Sequence, residues 1–219
     1  MMEIKVLKNI MEANDAIAEK NKEIKKSRGL LMLNIIGSPG AGKTSVILKT
    51  IEHLGGVCGV IEGDITSDLD SRKMAERDIP VVQINTGGAC HLDANMVYRA
   101  LDNLEMENGV LFIENVGNLV CPAEFEVGED FKVVISSIAE GDDKPYKYPL
   151  VFSKARAVVL NKIDLLPHMD FNREFFFSGV RALNPEAPVF EVSARTGEGI
   201  EAWSRWLQDI FQDLQKARQ

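Results

Sequence analysis

Residues Gly37-Ser38-Pro39-Gly40-Ala41-Gly42-Lys43-Thr44 constrain this chain more than any other segment. They match the pattern G-x-x-x-x-G-K-S/T and lie between an apolar run, LLMLNII, and a helical pattern, TSVILKTIEHL. Such a loop works between a buried strand and the first turn of a helix. Its glycines let backbone N–H groups turn toward phosphate oxygens with no Cβ in the way, and the helix N-terminus adds partial positive charge. Lys43 is placed to reach the β- and γ-phosphates and to act in catalysis. The Thr44 hydroxyl is placed to ligate Mg²⁺, with Ser45 beside it in the first turn.

The rest of the chain supplies the sheet that this loop requires. Apolar runs at 30–36, 57–61, 81–84, 110–113, 133–135, 157–160 and 189–192 read as strands, several of them apolar throughout, as strands covered on both faces are. Helical patterns fall between them, near 43–54, 67–77, 92–105 and 171–183. A final helix carries Ile200, Trp203, Trp206, Leu207, Ile210, Phe211 and Leu214 at steps of three and four, a core-facing stripe. The alternation predicts a three-layer α/β P-loop NTPase fold with a mostly parallel sheet and helices on both faces. Residues 1–28 read as a helical extension whose stripe is Leu7, Ile10, Ile17 and Ile24, and 29–219 as a single nucleotide-binding G domain.

Composition removes several classes of function. The 219 residues carry 25 basic against 33 acidic side chains, net −8, the wrong sign for a general nucleic-acid binder. Three cysteines are too few for a disulfide framework and suit a reducing compartment. No apolar run approaches the roughly 20 residues that span a bilayer, and the first residues lack an apolar signal core. The expectation is a cytoplasmic protein with no membrane association.

Two further motifs select the nucleotide. Asn161-Lys162-Ile163-Asp164 follows the strand AVVL at the edge where ligands bind in such sheets. Asp164 can accept hydrogen bonds from N1–H and the exocyclic amine of guanine, whereas adenine would leave the carboxylate unpaired. Asn161 is expected to fix the loop and contact N7, and the Lys162 stem to pack on the base. Ser193-Ala194-Arg195 follows the strand VFEV, where a backbone N–H could meet the guanine O6. GTP and GDP are therefore the expected ligands. In the switch elements, Asp64 and Asp68 are candidates to hold the metal or its water, and thus to act in catalysis. Asp68 and Asp70 could equally be solvated loop residues. Glu114-Asn115-Val116-Gly117 occupies the place of a D-x-x-G segment, with Glu114 toward Mg²⁺ and the Gly117 N–H toward the γ-phosphate. Asn118, not glutamine, follows Gly117, so unaided hydrolysis should be slow.

The cysteines divide. Cys58 lies inside a strand and reads as a small core residue. Cys90 and His91 end a glycine-rich loop ahead of a helix, whose N-terminus is expected to favour the Cys90 thiolate, and Cys121 follows the switch segment. Thiolate and imidazole are donors preferred by Zn²⁺ and Ni²⁺, but spacing alone leaves ordinary loop residues as an equal reading. Three ligands leave a four-coordinate ion one short, which a symmetric dimer would remedy.

Taken together, GSPGAGKT, EGDITSDLDSR, NTGGACH, ENVGNLVCP and NKID resemble the HypB family of hydrogenase nickel-incorporation GTPases over essentially the whole chain. The resemblance implies a SIMIBI-class GTPase, a nucleotide-linked homodimer, and Cys90, His91 and Cys121 as an interfacial nickel or zinc site. It also implies delivery of nickel to the large-subunit precursor of nickel–iron hydrogenase. Many members carry a cysteine- or histidine-rich nickel stretch ahead of the G domain. Here the cysteines are Cys58, Cys90 and Cys121 and the histidines His53, His91 and His168, so a separate nickel metallochaperone is the expected partner. Ser38 stands where ATPases of the wider class carry a signature lysine, which argues against a partitioning ATPase. A nickel GTPase serving urease and a translation or signalling GTPase without metal are the alternatives.

Overall fold

The computed structural model describes the backbone of residues 2–64 and 74–218, with side chains from residue 11 onward. Helix α1 (Met2–Ser27) precedes strand β1 (Leu31–Ile36), and the phosphate loop leads from β1 into α2 (Lys43–Leu54). Strands β2 (Cys58–Asp64) and β3 (Val81–Asn85) follow, then α3 (Ala94–Asp102), β4 (Val110–Glu114) and the one-turn helix α4 (Cys121–Glu124). Beyond β5 (Phe131–Ser137) come two short helices, α5 (Lys144–Lys147) and α6 (Pro149–Lys154). The chain ends with β6 (Ala155–Asn161), α7 (Arg173–Leu183), β7 (Val189–Glu191) and α8 (Ile200–Lys216). Most of the helix expected over 67–77, with Asp68, Asp70 and Arg72, lies outside the described residues.

All seven expected strands form one sheet in the order β3-β2-β4-β1-β5-β6-β7, and every pairing is parallel. Parallel neighbours need crossovers, and the helices between them cover both faces. Alternation in β1 shows the two layers. Leu31, Leu33 and Ile35 point into a core closed by Val46, Ile47, Trp203 and Leu207 of α2 and α8. Met32 points the other way, toward Val97 and Leu101 of α3, while Ile36 meets Phe152 and Phe176 of α6 and α7. The stripe on α8 is therefore core. Its Trp203 indole N–H donates to the Thr50 hydroxyl at 3.0 Å, which satisfies the polar edge of a buried ring. Cys58 is buried in β2, and burial pushes its thiol up to about 11. Among the described residues no helix is long and apolar enough to cross a membrane.

Helix α1 departs from the expected arrangement. Over its described side chains the seated face is Asn14, Ala18, Asn21 and Lys25 rather than the isoleucine stripe, and Ile17 and Ile24 are only half-buried. Small and polar residues let the helix approach closely; Ile24 packs against the core at α3, and the buried asparagines hydrogen-bond to backbone. The Asn21 amide donates to the carbonyls of Ala94 (2.8 Å) and Val127 (2.9 Å). The Asn14 amide donates to Glu126 O at 2.8 Å, and its oxygen accepts from Ala94 N at 2.9 Å. Lys25 adds an ion pair with Asp130 at 2.7 Å. Helix α1 thus fastens the start of α3 to the loop before β5. Asn21→Ala removes two buried bonds and should lower stability by about 2 kcal/mol in chemical denaturation. A loss below about 0.5 kcal/mol would show that α1 is not held this way.

Candidate nucleotide and metal sites

The phosphate loop leaves the C-terminal end of β1 at the middle of the sheet, as open α/β sheets place their ligands. Gly40 and Gly42 adopt φ of 77° and 93°, conformations that glycine enters without strain. A Cβ on Gly37 would lie 2.4 Å from Ile135 O, so that glycine is required by close packing on β5. Around the loop lies a cleft of 640 Å³ whose wall includes Lys43, Thr44, Asp64, Glu114 and Gly117. The Lys43 ammonium donates to Gly37 O at 3.4 Å, folded back over its own loop. The Thr44 hydroxyl donates to Glu114 Oε1 at 2.9 Å. Thr44, Glu114 and Asp64 are hard oxygen donors on one cleft, a set that suits Mg²⁺.

Sequence reasoning missed Glu62. It faces the same cleft at 4% exposure and pairs in register with Glu114 across β2 and β4. The signal was available, since a carboxylate inside the run VIEGD, in a strand buried on both faces, needs a reason to be there.

A second cleft of 300 Å³ adjoins the first, sharing Gly42, Ser45 and Lys162, and is lined by Asn161, Asp164, Leu165, Ala194 and Arg195. Its carboxylate is oriented: the Ser193 hydroxyl donates to Asp164 Oδ1 at 2.6 Å and accepts from Thr196 N at 3.2 Å. Asn161 serves the loops rather than standing free for a base. Its amide donates to Ala41 O at 2.9 Å, and its oxygen accepts from Ala194 N at 3.1 Å. Of the backbone N–H groups of Ser193-Ala194-Arg195, one of which is expected to meet the guanine O6, that of Ala194 is engaged with Asn161 in this conformation. Lys162 has φ 63°, and its ammonium donates to Gly40 O at 2.6 Å, so its stem divides the two clefts. Ser38 and Pro39 complete the loop, and Pro39 packs on Gly117, where a Cβ would come within 2.8 Å of the proline ring.

The third constellation lies along the chain from Gly117. Segment 117–118 returns to the phosphate loop through an isolated antiparallel bridge between Gly37 and Asn118. Four residues beyond Gly117, Cys121 opens α4. There its sulfur and the donor atoms of Cys90 and His91 lie within 4.8 Å of one another. Two ligands each about 2.3 Å from one ion can be no farther apart than about 4.6 Å, so the three donors are nearly in place for a shared ion. Adjacent Cys90 and His91 point to the same side because the chain bends there before α3, bringing Sγ to 3.4 Å from Nδ1. The imidazole packs against Phe125, with ring centroids 4.0 Å apart and the planes tilted by 34°. Burial lowers the His91 pKa and so favours the neutral ring that a metal needs. The expected effect of the helix on Cys90 is not what the structure shows. A hydrogen bond with Cys121 leads the causes that raise the Cys90 thiol, because the two sulfurs share one proton more readily than they carry two charges.

A phosphate loop joined to an aspartate-lined cleft defines a P-loop nucleotide-binding protein, here with two thiols and an imidazole gathered at the end of the segment that packs on that loop. The family described as CobW/HypB/UreG, nucleotide-binding domain, matches residues 31–191. The hydrogenase maturation factor HypB of Azotobacter chroococcum mcd 1 is 48% identical over 208 residues, 94% of this chain and 68% of that protein. A crystal structure of HypB from Helicobacter pylori in complex with nickel matches with a TM-score of 0.87 at 35% identity, covering 92% of this chain and 96% of that one. The crystal structure of hydrogenase maturation factor HypB from Archaeoglobus fulgidus matches at 0.84 and 37% identity, covering 91% and 99%. The chain belongs to the HypB family.

Asp164→Asn places an amide donor against the guanine amine and should weaken GTP binding by at least about 2 kcal/mol, roughly 30-fold, in calorimetry. Wild-type protein that binds ATP as tightly as GTP would contradict the assignment of the base pocket.

Proposed function

We propose that the chain is a GTP-hydrolysing metallochaperone that inserts nickel into the large subunit of nickel–iron hydrogenase during its maturation. In this reading, nucleotide state switches both its metal site and its dimerisation. The observation that carries the reading is the convergence of Cys90, His91 and Cys121 at the end of a segment that packs on the phosphate loop. The relatives support the cargo and the target: one is a hydrogenase maturation factor, and another was crystallised with nickel. The work is placed in the cytoplasm, with a separate nickel metallochaperone and the hydrogenase precursor as partners.

In hydrolysis, GTP and water give GDP and phosphate. Backbone N–H groups of residues 37–44 and the helix α2 dipole hold the phosphates, and Lys43 swings from Gly37 O to the γ-phosphate. Thr44, Glu114 and Asp64 would hold Mg²⁺, which when bound supplies positive charge to the β- and γ-oxygens. Asp64 and Asp68 are the carboxylates proposed to orient water. The rate without a partner is slow. Asn118, next to Gly117, spends its side chain elsewhere: its amide donates to Cys90 O at 3.2 Å and its oxygen accepts from Val120 N at 2.9 Å.

The cargo ion is Ni²⁺ or Zn²⁺, bound by soft donors on an exposed face. Two chains meeting there offer four thiolates and two imidazoles, enough for a shared planar nickel site or a bridged zinc pair. Nickel titrated into the GDP form and into a form loaded with a non-hydrolysable GTP analogue should give different affinities. In sedimentation, the analogue form with metal should be dimeric and the GDP form monomeric. Cys121→Ala should abolish both differences. If oligomeric state and metal affinity ignore the nucleotide, the switch is contradicted. Separately, Lys43→Ala should abolish hydrolysis and sharply weaken GTP binding, and near wild-type turnover in that variant would contradict the role of Lys43.

A further inference from the structure

Behind the metal loop runs a chain of buried polar side chains that the nucleotide and metal chemistry does not use directly. It begins at Asn115, 1% exposed, between Glu114 and Val116. The Asn115 side-chain oxygen accepts two backbone N–H groups at 3.0 Å each, from Leu92 and from Val116. Leu92 follows the ligand His91, and Val116 precedes Gly117. One oxygen atom therefore holds both the metal loop and the nucleotide-sensing segment.

The orientation of that amide is fixed from a distance. The Asn115 amide donates to the Asn34 oxygen at 3.0 Å, and the Asn34 amide donates to Glu129 Oε1 at 3.1 Å. Glu129 also accepts from Lys132 at 2.6 Å and from Val127 N at 2.7 Å. Burial alone would push the Glu129 carboxyl up, but Lys132, Asn34 and the Val127 N–H together hold it below its ordinary value, so it stays ionised. An ionised carboxylate only accepts, so Asn34 must turn its amide to Glu129 and its oxygen to Asn115. Asn115 must then turn its own oxygen to the two backbone N–H groups. Reversing either amide would set acceptor against acceptor inside the protein, where an unmatched polar group is expensive.

We propose that Asn115 is the positioning residue that makes the metal loop follow the nucleotide-sensing segment, through the acceptor shared by Leu92 and Val116. This rests on the reading that nucleotide and metal are linked. Any displacement of Val116–Gly117 by the γ-phosphate redistributes an oxygen that Leu92 also needs, and the backbone at Cys90–His91 shifts with it. A second hydrogen bond between the two segments, Asn118 to Cys90 O, is exposed, and water competes for it.

The test compares nickel affinity in the GDP and GTP-analogue states and takes the ratio. Couplings of this kind commonly amount to roughly 5–150-fold. In Asn115→Ala the ratio should collapse to within about twofold of unity, although Cys90, His91 and Cys121 are untouched, while Asn118→Ala should keep most of it. A ratio that survives Asn115→Ala overturns this proposal alone. A wild-type ratio of unity overturns the nucleotide-linked metal site as well as this proposal. The wild-type protein gives a check that requires no substitution: on exchanging GDP for the analogue, the Leu92 and Val116 amide resonances should shift together. A shift at Val116 with Leu92 unmoved would overturn the shared-acceptor coupling.

Discussion

Strands β1 and β4 lie side by side at the centre of the sheet, paired from Leu31 with Val110 to Ile35 with Glu114 and running the same way. The chain therefore leaves both strands at one edge, as the phosphate loop from β1 and as residues 115–120 from β4. They are held together beyond the sheet by the Gly37–Asn118 bridge and by the packing of Gly117 on Pro39. Gly117 is a glycine because any Cβ there would meet the proline. In the proposed function, what the γ-phosphate does to one loop is felt by the other, since packed interiors transmit displacement rather than absorb it. Cys121 lies at the far end of that second loop.

The layer beside these loops also holds buried polar side chains. Asn34, Asn115, Glu129 and Lys132 are all buried, each with partners. Replacing such groups by apolar ones could leave stability unchanged or improve it. What an apolar layer could not do is fix the direction of two amides and, through them, the backbone of the metal loop. The polar face of α1 belongs to the same design. Asn14 and Asn21 grip Ala94, two residues past Leu92, so the chain that follows Cys90 and His91 is held by three side-chain amides.

Much of this was legible in the sequence. The phosphate loop, the guanine-type loop at Asn161–Asp164 and the seven strands follow from local chemistry, since a strand covered on both faces announces itself as an apolar run. The convergence of Cys90, His91 and Cys121 was readable only through resemblance, because spacing says nothing about two loops meeting. Helices α4, α5 and α6 escaped because four to six residues are too short to show a period. The seated face of α1 was misread for a physical reason. Hydrophobic periodicity assumes that burial is apolar, whereas this helix docks through asparagines that bond to backbone. Asn115 was passed over likewise: nothing local shows that its oxygen serves a residue 23 positions away.

The central claim is that nucleotide and metal share one mechanical unit, and linkage makes it testable from the nucleotide side. If nickel distinguishes the two nucleotide states, then by thermodynamic reciprocity the protein must discriminate between GTP analogue and GDP differently with nickel than without. Both nucleotide affinities should be measured with saturating nickel and again with a chelator. The account predicts that the ratio of analogue to GDP affinity changes with nickel, and that the change vanishes in Cys121→Ala. A ratio that nickel leaves untouched would contradict it.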